Sequence, residues 1–265
     1  MTVTPPVALF DAHLHIVDPR FPLIPNDGFV PEAFPVEAYR QRVAALDVRG
    51  GAVVSGSFQG FDQTYLVDAL ARLGPGFVGV TQVPETVADE EIIRLDAAGV
   101  RAVRFNVRRG GSAALAPLES LATRVHDVAG WHAELYLDAR DLPDLLPTLR
   151  RLPAVSLDHL GLHRDGLPHL LEAVAHGARV KATGFGRVDL DPAAAIAAVM
   201  AVDPTALMAG TDLPSTRARR PFADGDLDLL DEAVGEEHAA AVRWGNAAAF
   251  YRVDGVTAGV RTGSA

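Results

Sequence analysis

Two histidines lie one residue apart at the end of the first apolar run of the chain. The stretch FDAHLHIVDP, residues 10–19, contains Asp11, His13 and His15. Because side chains alternate between the two faces of a strand, these three are predicted to share one face. Two imidazoles about 7 Å apart along a strand can converge on one metal ion or one substrate atom. A lone interior histidine is more often a hydrogen-bonded core residue, but a His-x-His pair favours a functional site.

Two more residues with the same chemistry follow later apolar runs. VSLDHLG places His159 at the end of the sixth run, and LMAGTDLP places Asp212 just after the eighth. With His13 and His15 they form a set of nitrogen and oxygen donors suited to one divalent metal, zinc or manganese, or to metal-independent general-base chemistry. The chain has no cysteine, which excludes thiolate ligands. The structural alternative for Asp212 is a cap of the turn DLPST.

The fifth run, WHAELYLD, places polar side chains at alternate positions: His132, Glu134, Tyr136 and Asp138. Such a face is too polar for an apolar core, so it either faces a functional site in the interior or is partly exposed to solvent. Glu134 and Tyr136 are predicted to face the site, Glu134 as a further metal ligand and Tyr136 in the substrate pocket. Asp158 directly precedes His159 and is therefore predicted to point to the opposite face, in a helix cap or a strand-to-helix hydrogen bond.

Positive charge is also concentrated near the ends of strands. The stretches VRAVRFNVRRG and KATGFGR contain Arg104, Arg108, Arg109 and Arg187. Arginine binds carboxylates in a bidentate manner, so these residues predict an anionic substrate; the alternative for each is a surface ion pair. Three arginines after Asp212, at positions 217, 219 and 220, line the mouth or belong to a solvated loop. Lys181, the only lysine, can lie in the interior, and a carbamylated bridging lysine is an alternative.

The elements that must position these residues alternate along the chain. Eight strand-length apolar runs cover Val7–Leu14, Gly51–Phe58, Phe77–Val83, Val100–Asn106, Trp131–Leu137, Ala154–Leu160, Ala178–Thr183 and Ala206–Thr211. Helical stretches lie between them, several beginning after Asp or Pro and ending at Gly. Eight such units predict a (β/α)8 TIM barrel, a parallel eight-stranded barrel with outer helices, as one domain over residues 1–265. The alternative, an open doubly wound sheet, is disfavoured because no G-x-G-x-x-G turn follows a strand.

Composition narrows the class of protein and of partner. About half of the 265 residues are apolar and the net charge is −10, which predicts a soluble globular protein that binds neither nucleic acid nor anionic membranes. Small molecules are the expected partners, and the composition leaves the oligomeric state open. No signal peptide or membrane span is apparent, so the expected location is the cytoplasm. The tail TAGVRTGSA is predicted to be frayed.

Taken together, DAHLH, DHLG, GTDLP and the closing motif VRWGNAAAFYRV resemble the amidohydrolase superfamily, in the branch that includes 2-pyrone-4,6-dicarboxylate lactonase and the sugar lactonases. The motifs span residues 8–253. The resemblance implies a hydrolase in which Asp212 activates water, while His13, His15 and His159 polarise a carbonyl or hold a metal. It also implies that Arg104, Arg187 and either Arg108 or Arg109 contact substrate carboxylates, and that Tyr136 lies in the same pocket. The dicarboxylate lactonase works without a metal.

The leading hypothesis is therefore hydrolysis of a lactone or related ring ester that carries a carboxylate. Two alternatives remain open. The same residues would serve metal-dependent C–N hydrolysis or decarboxylation of a related small acid. A non-catalytic barrel that binds a metabolite is disfavoured because binding alone does not need a general base. A binuclear metal centre is disfavoured because no second strand-end histidine follows His159.

Overall fold

The computed structural model of the chain describes residues 7–253, and its strands form one sheet. The strands are β1 Leu9–Leu14, β2 Val48–Val54, β3 Phe77–Thr81, β4 Val100–Phe105, β5 His132–Leu135, β6 Val155–Leu157, β7 Arg179–Ala182 and β8 Leu207–Ala209. They pair in chain order from β1 to β8, and every pair is parallel. The predicted TIM barrel is thus confirmed.

Seven of the eight predicted apolar runs contain their strand in full and the second overlaps β2, but the strands are shorter than the runs. The runs extend beyond the strands because the loops at the carboxyl ends are also buried. The largest difference is in β2, which begins at Val48 and ends at Val54, whereas the run was predicted to reach Phe58. Ser55 still donates to the backbone of Val80, and residues 57–59 then form a short helical turn.

Ten α-helices follow the strands in the described part of the chain. They are α1 Val36–Arg42, α2 Thr64–Leu73, α3 Asp89–Ala97, α4 Leu118–Ala129, α5 Leu142–Leu149, α6 Leu167–Ala175, α7 Pro192–Val202, α8 Gly225–Val234, α9 Glu236–Ala240 and α10 Asn246–Phe250. A π-helical turn over residues 241–245 joins α9 to α10.

Helix ends use the expected capping chemistry. Asp191 caps α7 by accepting from the backbone of Ala193 and Ala194, and Gly130 ends α4 with φ of 68°. Within residues 7–253, no helix is both long enough and apolar enough to cross a membrane. The tail that was predicted to be frayed lies outside the described residues.

The apolar core has two layers. The larger layer packs the helices against the outside of the barrel, and the smaller one fills the lower interior of the barrel with residues such as Phe10, Ala12 and Met208. Tyr251, at the end of α10, closes the interior from below and stacks on Phe10 with ring centroids 5.5 Å apart. This layer leaves space for most of the buried polar side chains in the upper half of the barrel.

The barrel closes between β8 and β1, next to the histidines. Asp212 donates from its backbone to the carbonyl of His13, and His15 donates to that of Leu213, each at 2.7 Å. Gly210 allows this approach, since a Cβ at that position would lie 2.8 Å from the backbone nitrogen of His13. The seam of the barrel thus places the residues after β8 directly beside the end of β1.

Candidate functional site

A β-bulge in β1 determines which side chains enter the site. Asp11 pairs with Gly51 and Leu14 with Val53, so β1 contains one residue more than β2 between these pairs. The Asp11 carboxylate therefore lies outside the barrel, where it accepts from Tyr39 Oη at 2.9 Å and from the Thr211 backbone at 2.7 Å. Burial raises the pKa of Asp11 to about 6. The prediction that Asp11 shares a face with His13 was wrong for this reason.

Left-handed backbone at two positions brings further side chains into the site. His159 has φ of 53° and Asp212 has φ of 59°, a region that costs energy for residues other than glycine. At His159 this conformation ends the strand alternation, so both Asp158 and His159 point into the barrel. The prediction that Asp158 lies on the opposite face was wrong: it is buried and bonded to Arg104 Nη2 at 2.8 Å.

Three imidazoles surround one carboxylate oxygen. Asp212 Oδ1 lies 3.9 Å from His13 Nε2, 3.7 Å from His15 Nε2 and 3.9 Å from His159 Nε2. All four residues are buried. Neither Asp212 Oδ1 nor His13 Nε2 has a hydrogen-bond partner among the residues described. The structure thus brings the four predicted residues together around a point where polar atoms lack partners.

Each imidazole is oriented by a contact at its other nitrogen. His15 Nδ1 lies 2.7 Å from the carbonyl oxygen of Val54, and His159 Nδ1 lies 2.7 Å from Thr183 Oγ1. Burial lowers the pKa of His159 to about 3, although Asp212 opposes the shift. Burial likewise holds the pKa of His13 well below its usual range. Both rings are therefore neutral at pH 7.

Arg187 keeps Asp212 ionised. Its guanidinium binds Asp212 Oδ2 through Nε at 2.8 Å and also through Nη2. Burial pushes the pKa of Asp212 upward, but Arg187 and His159 outweigh burial and leave that pKa well below its usual range. The Asp212 side chain does not cap the turn that follows. The backbone N–H of Ser215 donates instead to the backbone carbonyl of Asp212.

A pocket opens above this cluster; about 390 Å³ of space in and over it, open solvent included, is not filled by atoms. Among the residues around it are His15, His159, Asp212, Tyr136 and four arginines: Arg104, Arg109, Arg187 and Arg217. Arg108 is exposed and is not among the lining residues.

Two of these arginines are paired and two are not. Arg104 and Arg187 bind Asp158 and Asp212. For Arg109 and Arg217, no carboxylate of residues 7–253 lies within ion-pair distance. Arg217 instead bonds to Asn26 and stacks on Phe29, 4.4 Å from the ring centroid. Phe29 was not predicted, because nothing in the sequence indicates that its loop folds over the pocket.

The polar face of β5 divides among three environments. His132 packs against Phe250 at the bottom of the barrel, and Asp138 bonds to Arg140 at the start of a helical turn. Tyr136 lines the pocket, as its position predicted. Glu134 is fully buried below the pocket, where Oε2 lies 2.5 Å from Lys181 Nζ, and burial raises its pKa. Glu134, predicted as a further metal ligand, is therefore not part of the group formed by Asp212 and the three histidines.

The donor atoms near Asp212 are suited to a divalent metal. Ligand atoms of His13, His159 and Asp212 lie within 4.8 Å of one another, and two of these atoms lack hydrogen-bond partners. Two imidazoles and a carboxylate are ordinary ligands of zinc or manganese. A second group, of His13, Glu134 and Asp158, is equally compact, but Lys181 and Arg104 already supply its positive charge.

Comparison with known proteins identifies the family of this chain. The sequence profile of the amidohydrolase family matches residues 10–253. The chain belongs to this amidohydrolase family. It is 34% identical over 163 residues to the 2-pyrone-4,6-dicarboxylate hydrolase of Comamonas testosteroni, an alignment that covers 59% of this chain and 52% of that protein.

Two further similarities cover most of the amidohydrolase chain. The 4-sulfomuconolactone hydrolase of Rhizobium radiobacter is 28% identical over 251 residues, 84% of this chain and 82% of that protein. A crystal structure from Acinetobacter baumannii, described as a probable 2-pyrone-4,6-dicarboxylic acid hydrolase with citric acid bound, superposes with a TM-score of 0.79. It is 20% identical and covers 92% of this chain and 99% of that one, so it supports the fold.

Proposed function

We propose that this amidohydrolase opens a lactone or related ring ester of a small molecule that carries a carboxylate. The observation that carries the proposal is the ionised, unbonded Asp212 Oδ1 facing three imidazoles below a pocket rich in arginine. The named activities of the two curated relatives, a dicarboxylate hydrolase and a sulfomuconolactone hydrolase, support the same reaction class.

The arginines support an anionic substrate. Arg109 and Arg217 border the pocket without a carboxylate partner in the described chain, so an acidic group on the substrate would supply the missing charge. Tyr136, which lies 3.5 Å from Arg187 Nη1, would contact the same acidic group or the ring beside it. A cytoplasmic location and a single catalytic domain over residues 1–265 belong to the same proposal.

The proposed reaction begins with water beside Asp212. The water oxygen attacks the ring carbonyl carbon while its proton moves to Asp212 Oδ1, and the imidazoles of His13 and His159 stabilise the developing oxyanion. The tetrahedral intermediate then collapses, and the bond between the carbonyl carbon and the ring oxygen breaks. Asp212 returns the proton to the leaving oxygen. The product is an open hydroxy acid, and the enzyme regains its starting state.

Metal-dependent C–N hydrolysis or decarboxylation is the second candidate. It is favoured by the compact donor set of His13, His159 and Asp212, with His15 beside it. These residues would hold at most one divalent ion, zinc or manganese, which would act as a Lewis acid toward the substrate carbonyl. Asp212 would remain ionised, and the arginines would bind the substrate acid as before.

A substrate panel with an Asp212→Asn variant tests the proposal. Carboxylate-bearing lactones, their amide analogues and the corresponding acids are incubated with the enzyme, and products are identified by mass spectrometry. An asparagine oxygen can still accept from Arg187 but cannot take the proton. We therefore expect kcat on lactones to fall at least about 100-fold, with Tm nearly unchanged.

Asp144→Asn, in the first turn of α5, is the matched control because Asp144 is exposed and is not among the residues that line the pocket. Its activity should equal that of the wild type. Full turnover of lactones by a folded Asp212→Asn variant would show that Asp212 is not the base. Turnover of amides or acids in place of lactones would favour the second candidate.

A further inference from the structure

A buried group of charged residues lies directly beneath His13, on the side away from the pocket. Lys181, Glu134 and Asp158 have essentially no solvent exposure, and neither Lys181 nor Glu134 lines the pocket. The proposed reaction uses none of them. Burying a lysine is costly unless it is paired, so the position of Lys181 calls for a specific role.

Lys181 is held against His13 from below. Its Nζ lies 2.5 Å from Glu134 Oε2, and the same oxygen accepts from Tyr251 Oη at 3.1 Å. On its other side Nζ lies 3.3 Å from His13 Nδ1. The strands β5 and β7 and the end of α10 thus fix an ammonium group at one nitrogen of a site histidine.

This contact determines where the proton of the neutral His13 ring resides. An ammonium group can only donate hydrogen bonds, so Nδ1 must accept and the ring proton must lie on Nε2. The contact at the opposite side of the ring supports the same tautomer, because Nε2 faces the ionised Asp212 Oδ1 at 3.9 Å. A proton on Nδ1 would instead point at the ammonium and leave a lone pair facing the Asp212 carboxylate.

Two neighbours favour the other tautomer. Asp158 Oδ1 lies 3.3 Å and Glu134 Oε1 3.8 Å from His13 Nδ1, and either would accept from a proton there. However, neither oxygen makes a hydrogen bond of acceptable geometry in the described chain, whereas the Lys181 contact does meet hydrogen-bond geometry. Of the charged neighbours of the ring, Lys181 therefore has the contact that decides, and it places the proton on Nε2.

We propose that Lys181 is a positioning residue that fixes His13 as the Nε2–H tautomer, so that His13 presents a hydrogen-bond donor to the substrate carbonyl. The statement about the carbonyl rests on the proposed function, but the statement about the tautomer does not. A protonated Nε2 has no lone pair for a metal ion. Lys181 therefore determines whether His13 Nε2 donates a hydrogen bond or coordinates a metal ion.

His15 provides an internal comparison. Its Nδ1 lies 2.7 Å from the carbonyl oxygen of Val54, which can only accept, so Nδ1 carries a proton. This hydrogen bond outweighs the longer contact of 3.7 Å between His15 Nε2 and Asp212 Oδ1. The two histidines of the His-x-His pair are thus expected as opposite tautomers. His13 Nε2 would then offer a donor on the side of Asp212, and His15 Nε2 would offer an acceptor.

Nitrogen-15 NMR of the histidine side chains in the full-length, metal-free protein tests the proposal directly. Signals are assigned with His13→Gln and His15→Gln variants, and spectra are recorded at pH 7. We expect long-range couplings of the Nε2–H pattern for His13 and of the Nδ1–H pattern for His15. An Nδ1–H pattern for His13 would overturn the proposal.

Variants test whether Lys181 is the cause. Lys181→Met leaves Glu134 without its ammonium partner, so the Lys181→Met/Glu134→Gln double variant, which removes both charges, is measured as well. We expect the His13 proton to move to Nδ1, where Asp158 accepts it. Zinc affinity, measured by calorimetry, should then rise at least about tenfold because Nε2 becomes a ligand.

Arg179→Met is the matched control, since it removes a paired cation from the same strand, β7, on the outside of the barrel. It should change neither the His13 pattern nor the zinc affinity. A folded double variant in which His13 keeps the Nε2–H pattern would refute the role of Lys181. If neither variant folds, the wild-type spectrum alone decides whether His13 is the Nε2–H tautomer. If the tautomer responds as expected but no lactone is hydrolysed, the inference stands and the proposed function fails.

Discussion

Replacement of His159 by glutamine should change how the stability of the protein depends on pH. Burial lowers the pKa of His159 to about 3 in the folded chain, against 6.5 for the unfolded residue. A histidine with a lowered folded pKa contributes stability above the unfolded pKa, and that contribution is lost as the pH falls toward the folded pKa. The wild type should therefore lose stability below about pH 6.5 through this residue.

The size of the effect follows from the two pKa values. Between them, one proton binds to the unfolded chain but not to the folded one, which corresponds to about 1.4 kcal/mol per pH unit. From pH 6.5 to 4.5, His159 should thus account for a loss of about 2 kcal/mol in the free energy of unfolding, somewhat less than the full slope because the unfolded residue is already half protonated at pH 6.5. Glutamine does not titrate in this range, so the His159→Gln variant should lack this part of the slope.

Urea unfolding at several pH values between 7 and 4.5 measures the difference. The variant loses packing and the contact with Thr183 at every pH, so the slope with pH, rather than the stability at one pH, is the relevant quantity. His176→Gln is the matched control, because His176 is exposed at the end of α6. Parallel pH profiles for the wild type and His159→Gln would show that His159 is not buried as a neutral ring.

Two further predictions concern the substrate and the metal. Arg187→Met should lower kcat/KM for a carboxylate-bearing lactone by about 10- to 100-fold more than for a neutral lactone, since a charged hydrogen bond contributes about 1.5–3 kcal/mol. Arg219→Met, which removes an exposed partner of Asp189, is its control, and equal losses on both lactones would mean that Arg187 serves only Asp212. Elemental analysis after dialysis against zinc or manganese should find at most one ion per chain, and two ions would contradict the proposed site.

The regular parts of this fold could be predicted because their physical cause is local. Parallel strands that are buried on both faces appear in a sequence as short apolar runs, and the helices between them carry their own caps. The residues after β6 and β8 could be placed near β1 because the carboxyl ends of parallel strands share one rim. His159 and Asp212 were found in this way.

The predictions for Asp11 and Asp158 were wrong because side chains do not alternate regularly between the two faces of the strand at these positions. The bulge in β1 moves Asp11 outside the barrel, and the left-handed backbone at His159 turns Asp158 inward. Neither irregularity has a sequence signal such as a glycine at the position concerned. The pairing of Arg104 with Asp158 joins residues 54 apart, and such contacts cannot be predicted from spacing along a single chain.

The contact between Tyr251 and Glu134 links the site to the last described helix. His13 comes from the first strand, whereas Tyr251, which completes its support through Lys181 and Glu134, is synthesised 238 residues later. A nascent or partly refolded chain that has formed only some of its βα units therefore lacks an assembled site. Catalytic activity in this protein should appear only when the whole barrel has closed, which makes turnover a direct probe of global folding.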